Sequence, residues 1–393
     1  MSGPLAGVRV VEFAAVVSAP LAAMILADQG AEVVKVEALG GGDLTRGRMY
    51  ARGGLTAFFA NCNRGKRSVV VDTSHPDGRR IVLDLIRTAD VFVQNYRPGV
   101  VDRLGLGYDD AAAVNPEIVY VSVSGYGDTG PYRDERVYDP IIQGLSGHVA
   151  AQVNPELPFP DLVRNAVADK ASAWAIAQAV SAALFARERG AGGQHVKVPM
   201  LDVSLAFFWP DGMLAHTMVG DDLWGVPLYR TYRLTQTADG HLVYFTATEQ
   251  EFAGLLRALG RPELLDEPRF AGAGRISEEM GAIIHAEFER WPTAEIVARL
   301  KSEGVAVGGA LSFEEVLADP QVVHNRAVLE RAHPTAGRLR EAAPPIRFTG
   351  TPPDLGPIAP LLGEHTDEVL ASLGYDAGTI ARWRQDGVVG GGT

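Results

Sequence analysis

Val8–Glu37 reads VRVVEF-AAVVSAPLAAMILADQG-AEVVKVE, and this stretch decides the fold. Its ends, Val8–Phe13 and Glu32–Glu37, are short β-branched runs of strand character. The middle, Ala19–Gly30, puts Leu21, Met24 and Ile25 on one face of a helix. Strand, helix and strand in this order predict a βαβ unit, and hence a parallel pair. Further runs at Ser68–Asp72, Asp90–Tyr96 and Ile118–Ser124 add strands, with helical patterns at Gly78–Thr88 and again after Arg136. A sheet of at least five strands follows. Ala171–Arg189 reads as a long alanine-rich helix, and His195–Met200 as a strand entering an apolar helix, Leu201–Met218. The expected fold class is α/β.

The pattern changes after Gly220. Thr231–Gln236 and His241–Ala247 flank Thr237-Ala238-Asp239-Gly240, and Asp-Gly supports the positive dihedrals of a tight hairpin. Helical patterns follow at Glu249–Leu259, Ser277–Trp291 and Thr293–Glu303. The expected organisation is a large domain over 1–220, a small α+β domain over 221–325, and a segment over 326–393 that returns to the large domain. That tail is Pro-rich and extended before two short helices, Thr366–Leu373 and Ala377–Gln385, and is too short for a core of its own. Gly390–Gly392 reads as a frayed end.

Composition narrows the function. With 36 basic against 48 acidic residues, the net charge of -12 argues against a general nucleic-acid surface and against an anionic membrane as partner. An anionic ligand must find a local basic patch. Cys62 is the only cysteine, which excludes an intramolecular disulfide and points to a reducing compartment, the cytoplasm. The start MSGPLAGVRVVEF has no basic flank or long apolar run, and no segment approaches the roughly 20 apolar residues of a membrane helix.

The motifs exclude as much as they suggest. The first turn, Ala14-Ala15-Val16-Val17-Ser18-Ala19-Pro20, lacks the G-x-G-x-x-G that lets a pyrophosphate approach, so neither a nicotinamide nor a flavin cofactor is expected. Gly40-Gly41-Gly42-Asp43 opens no helix and reads as a flexible turn. Without CxxC, HExxH or a close His pair, no metal is expected. Ser122-Val123-Ser124-Gly125-Tyr126-Gly127 lacks the first glycine of a hydrolase elbow, but it ends a strand where ligands bind in open α/β sheets. Lys66-Arg67, Arg97, Arg103 and Arg136 recur at strand ends, and their clustering at one sheet edge would suit a phosphorylated ligand. Asp169 stands just ahead of the alanine-rich helix, where the residues alone favour an N-cap. The same position suits an ionised carboxylate that attacks an activated carbonyl.

Six strings in order resemble the family III CoA-transferases, which include formyl-CoA transferase, carnitine CoA-transferases and α-methylacyl-CoA racemase. They are Leu5–Phe13, Leu26–Glu37, Asn63–Ser68, Asn95–Gly99, Ser124–Gly127 with Gly130-Pro131, and Leu362–Asp367. The resemblance implies a Rossmann-like large domain, a small domain, and a homodimer of interlocked rings. It also implies that CoA lies along the sheet edge as substrate. Matched position by position, the CoA contacts would be Val17, Ser18, Ala38, Asn63, Arg64, Gly65, Lys66, Asn95, Tyr96, Arg97, Arg103, Arg136, Val137, Tyr138, Asp139 and Met200. Ala38 stands where the family can carry an arginine, which removes one phosphate contact.

Asp169 matches the family's nucleophile, implying an aspartyl anhydride and then an aspartyl-CoA thioester. A racemase would need two acid/base groups at the α-carbon. In that branch a His-Asp pair follows the Gly-Tyr-Gly loop, whereas Tyr138-Asp139 stands here, and a phenol of pKa about 10 is a poor base at neutral pH. Transfer between an acyl-CoA and a carboxylate is therefore the expected activity. Glu249 resembles a racemase glutamate and leaves a 2-methylacyl-CoA racemase as the alternative, beside a non-catalytic acyl-CoA-binding protein. Gly220–Pro227 lacks the triple-glycine run of the formyl-CoA branch, which argues against oxalate or formate as substrates. Trp209, Trp224 and Leu205–Phe208 suit an apolar acyl group, or equally a core or dimer interface.

Overall fold

The computed structural model describes residues 2–47, 49–153, 160–220, 225, 228–272 and 277–391. The chain forms two compact units, Met1–Gly225 with Arg326–Thr393, and Val226–Asn325.

The larger unit is built on one sheet. Its strands are β1 (Arg9–Phe13), β2 (Glu32–Glu37), β3 (Lys66–Val71), β4 (Val91–Gln94), β5 (Val119–Ser124), β6 (Gln194–Pro199) and, last in the chain, Val389–Gly390. The order is Val389–Gly390, β3, β2, β1, β4, β5, β6. All neighbours are parallel except Val389–Gly390, which runs antiparallel to β3 with Val389 opposite Val71. The strand order reverses between β1 and β4, so the crevice outside their carboxyl ends is the position where such sheets bind ligands.

Helices cover both faces. On one lie α1 (Ser18–Asp28) and, after the short α4 (Asp139–Leu145), α5 (Val167–Ala186); on the other lies α3 (Pro76–Arg87), which follows α2 (Ala57–Asn63) in the chain. Alanines make the first arrangement possible. Ala19, Ala22 and Ala23 of α1 and Ala168, Ala173 and Ala177 of α5 share one core cluster with Val10, Val93 and Val121 of the sheet. Because α1 is apolar on all sides, it is buried over nearly its whole length between sheet and α5. In α3, Pro76 fixes the first turn, the His75 ring accepts from the Asp77 N–H, and Ile81, Val82, Leu85 and Ile86 bury the inner face.

The elements depart from the sequence reading in four places. The alanine-rich helix starts at Val167, so Asp169 is its third residue and not its cap. The apolar helix α6 spans Met200–Gly212, with a separate turn at Leu214–Thr217. The Pro-rich tail contains an antiparallel hairpin, Val328–His333 with Gly337–Ala342, where only extended chain was expected. Val389–Gly390 is a paired strand, so Gly390 is not part of a frayed end. Between these, the tail's helices Thr366–Ser372 and Ala377–Gln385 bury Val369, Leu370, Ile380 and Trp383 against the α3 face.

The smaller unit is α+β. Thr235–Gln236, His241–Phe245 and Ala306–Gly309 form an antiparallel sheet, packed with α7 (Glu249–Ala258), α8 (Glu278–Phe288) and α9 (Thr293–Ser302) around Leu242, Leu255, Phe288 and Ile296. Of Gly220–Pro227, only Gly220 and Gly225 are described, and Trp224 lies outside the described residues.

Candidate active site

The first turns of α1 and α5 meet above the carboxyl end of β1. There the Ser18 hydroxyl and backbone N–H both hydrogen-bond the Asp169 carboxyl. Asp169 is half-buried. Its own N–H donates to Asp139 Oδ2 at 2.9 Å, and Gln143 Nε2 donates to Asp139 Oδ1 at 2.5 Å. Gln143 also bonds the carbonyls of Val163 and Asn165, which fixes the segment leading into α5. Burial, and secondarily the Asp139 charge, push Asp169 up to about 7, while the two Ser18 bonds oppose the shift. Asp169 therefore titrates near neutrality. Its ionised form is a stronger nucleophile than an ordinary carboxylate, and two helix N-termini still favour its charge.

The turn that carries Ser18 is strained. Val16 has φ +74°, which costs a β-branched residue about 1–3 kcal/mol. Asn95 clamps the preceding peptide, its Oδ1 accepting from Ala15 N–H at 3.0 Å and its Nδ2 donating to Ala15 O at 2.7 Å. This joins the ends of β1 and β4 across the switch point.

The other expected contacts divide into two groups. Ala38, just past β2, is exposed, as are Arg97, Arg103 and Arg136 beyond β4 and β5. Among the described residues none of these three arginines has an ion-pair partner. Tyr96 packs on Phe13 with ring centroids 4.6 Å apart, Val137 lies against Gly125, Tyr138 is exposed, and Asp139 is buried beside Asp169. Val17 caps α1, and Met200 is buried in the same core cluster as Ala168.

The backbone of Asn63, Arg64, Gly65 and Lys66 lies away from that edge, although Lys66 Nζ reaches Pro20 O in the first turn of α1. Asn63, Arg64 and Gly65 precede β3 and Lys66 opens it; because β3 is parallel to β2, with Lys66 opposite Val33, their backbone sits at the amino end of the sheet. The expected clustering of Lys66-Arg67 with Arg97, Arg103 and Arg136 is corrected by this register. The side chains are also engaged internally: Arg64 is bidentate to Asp28 at 2.8 and 2.6 Å, and Asn63 Nδ2 donates to Phe59 O. Lys66, fully buried, meets Glu12 at 2.6 Å, Pro20 O at 2.7 Å and Asn63 Oδ1 at 2.7 Å. Gly65 takes φ +78° where a Cβ would press on Ala27.

Sequence reasoning missed several polar groups. Asp43 is not part of a merely flexible turn: it is buried, meets Lys35 at 3.0 Å, and accepts from Val16 N–H at 3.2 Å. A second group lines a cavity of about 350 Å³ beside Tyr96. In it Ser122 Oγ lies 2.8 Å from His195 Nε2, and the His195 ring stacks on Tyr108. Among the described residues no carboxylate is hydrogen-bonded to His195, so the pair lacks the orienting acid of a hydrolase triad. Alternating Ser122 and Tyr120 on one strand face was the available signal.

The profile of CoA-transferase family III matches residues 5–366. The chain belongs to that family. It is similar to succinyl-CoA:glutarate CoA-transferase of Mus musculus, 34% identical over 98% of this chain and 90% of the mouse protein. It is also similar to succinate–glutarate CoA-transferase of Agrobacterium fabrum, 34% identical over 94% of this chain and 96% of that one. Among solved structures, a CaiB/BaiF family protein from Brucella suis superposes with TM-score 0.82 at 29% identity, over 95% of this chain and all of its own. The protein is thus a CoA-transferase whose substrates are an acyl-CoA and a carboxylate. Among the described residues no group of three potential ligands could hold a metal, and no helix is long and apolar enough to cross a membrane.

Proposed function

We propose that this transferase moves CoA between carboxylic acids through a covalent intermediate on Asp169. The observation that carries the reading is the placement of the Asp169 carboxyl, held by Ser18 at the junction of two helix N-termini beside the buried Asp139. One Asp169 oxygen attacks the thioester carbon of the donor; the C–S bond breaks, leaving a mixed anhydride and a CoA thiolate. The thiolate attacks the aspartyl carbon, the anhydride C–O bond breaks, and the donor acid leaves as carboxylate. The acceptor carboxylate attacks this aspartyl thioester, expelling thiolate again. Attack of that thiolate on the acceptor's acyl carbon forms the new acyl-CoA and regenerates Asp169. No proton is consumed, and the N–H groups at the start of α1 are suited to stabilise the tetrahedral oxyanions.

Arg97, Arg103 and Arg136 are the unpaired cations suited to the CoA phosphates, in a protein whose net charge of -12 otherwise repels them. Ala38 offers no such donor, and Asn63–Lys66 act inside the fold. The relatives' names favour C4 and C5 dicarboxylates as donor and acceptor classes. They support transfer over racemisation, and Glu249 at the start of α7 fits a first-turn helix acid. The exposed apolar residues Phe185, Phe207, Trp209 and Leu214 support burial in a homodimer. The test is the mass of the protein after incubation with succinyl-CoA. An adduct on the native chain that hydroxylamine removes, and that Asp169→Ala lacks, is expected; an adduct retained by Asp169→Ala contradicts the assignment.

A further inference from the structure

We infer that the buried quartet Glu12, Lys35, Asp43 and Lys66 is a positioning device: it holds the turn Ala14–Ser18 in its strained form and so aims Ser18 at Asp169. The inference rests on the reading of Asp169 as nucleophile. Two carboxylates and two ammonium groups form one chain of ion pairs, with Lys35–Glu12 at 2.6 Å, Lys35–Asp43 at 3.0 Å and Lys66–Glu12 at 2.6 Å. All four side chains are withdrawn from water. Such a cluster gains little over well-packed apolar residues, because desolvation offsets the attraction. What it supplies instead is directed bonds to backbone.

Those bonds converge on one turn. Lys35 Nζ donates to Ala14 O at 2.8 Å, Asp43 Oδ1 accepts from Val16 N–H at 3.2 Å, and Lys66 Nζ donates to Pro20 O at 2.7 Å. With Asn95 on Ala15, the peptides from Ala14 to Val16 are fixed, and Pro20 is fixed on the far side. Ser18 lies between the clamps. Val16 would relax from φ +74° if nothing held it, because a β-branched residue is disfavoured there. A strained residue persists only where its surroundings over-determine it. Relaxation would turn the Ser18 hydroxyl and N–H away from Asp169, although no quartet atom touches that carboxylate. Lys35 and Asp43 are positioning residues in this sense.

The test titrates the Asp169 carboxyl by carbon-13 NMR of the full chain, assigned with Asp169→Asn, and measures the rate of adduct formation with succinyl-CoA at pH 7. Asp139, the charged group facing Asp169, is retained in every one of the variants. In Asp43→Ala the Asp169 midpoint is expected to rise by about one pH unit as the Ser18 bonds are lost. The adduct rate should fall roughly 10- to 100-fold, the effect of a misplaced group. Adding Val16→Gly removes the strain and should restore much of both. A merely structural role would lower the folded fraction and leave the midpoint of the folded protein unchanged. If Asp43→Ala does not fold, Asp43→Asn keeps the shape, loses the charge that holds Lys35, and should shift both readouts in the same directions. A folded variant with an unchanged midpoint and a rate within about twofold overturns the inference. If the native chain forms no adduct while its Asp169 midpoint still responds to Asp43→Ala, the nucleophile reading fails and the positioning role stands.

Discussion

Ser18 and Asp139 act on Asp169 in opposite directions, the first favouring its ionised form and the second opposing it. Adduct formation should therefore rise with pH through a midpoint near 7. Asp139→Asn should move that midpoint down and Ser18→Ala should move it up, each by about one unit, as a pH–rate profile would record. The same shift acts on stability. The folded pKa lies above the unfolded one, so ionisation of Asp169 costs stability as pH rises from about 4 to 7, and the cost is complete above 7. Asp169→Asn should accordingly melt about 2 °C or more above the native protein at pH 8, and no higher at pH 4. At the sheet edge, Arg97→Ala or Arg136→Ala should raise KM for acyl-CoA about tenfold, more steeply at low salt. Asp169 was legible as a carboxylate at a helix start, but not as a first-turn residue beside a second carboxylate. That pairing depends on Asp139, some thirty positions earlier, and no local pattern encodes it.

At the scale of elements, periodicity identified the first βαβ unit and most of the strands, because buried parallel strands are continuous apolar runs. It could not assign an edge. Lys66 and Arg97 both stand at strand ends, yet one opens β3 and the other follows β4, which puts them at opposite ends of the sheet. The alanines of α1 and α5 encode the close approach that joins Ser18 to Asp169, but alanine content alone reads only as helix. The tail's hairpin, Val328–His333 with Gly337–Ala342, was hidden by flanking prolines and by charged residues on both strands, Glu330 and Arg331 on one and Arg338, Arg340 and Glu341 on the other. Trp383 anchors this tail: it is 2% exposed and donates from Nε1 to Asp77 at 3.1 Å. Trp383→Ala should cost about 3–5 kcal/mol in chemical unfolding, with the loss falling on the larger unit.

For the whole molecule, the strand order β3-β2-β1-β4-β5-β6 and the acidic net charge support the place proposed for an anionic substrate. That place is the carboxyl edge at the β1/β4 switch point, where unpaired arginines and Asp169 both lie. Composition foretold the need for such a patch without locating it. The proposed homodimer belongs to this scale as well. Phe207 and Phe185 are 60% and 68% exposed on α6 and α5, apolar surface that the proposed homodimer would bury. Light scattering should give twice the chain mass of 41.9 kDa, and Phe207→Glu should weaken the assembly.

Intact-mass spectrometry of the protein mixed with succinyl-CoA tests the central claim most directly. A hydroxylamine-labile adduct mapped to Asp169, and absent from Asp169→Ala, is the predicted result. Full transfer activity in Asp169→Ala, or an adduct mapped to any other residue, would contradict it.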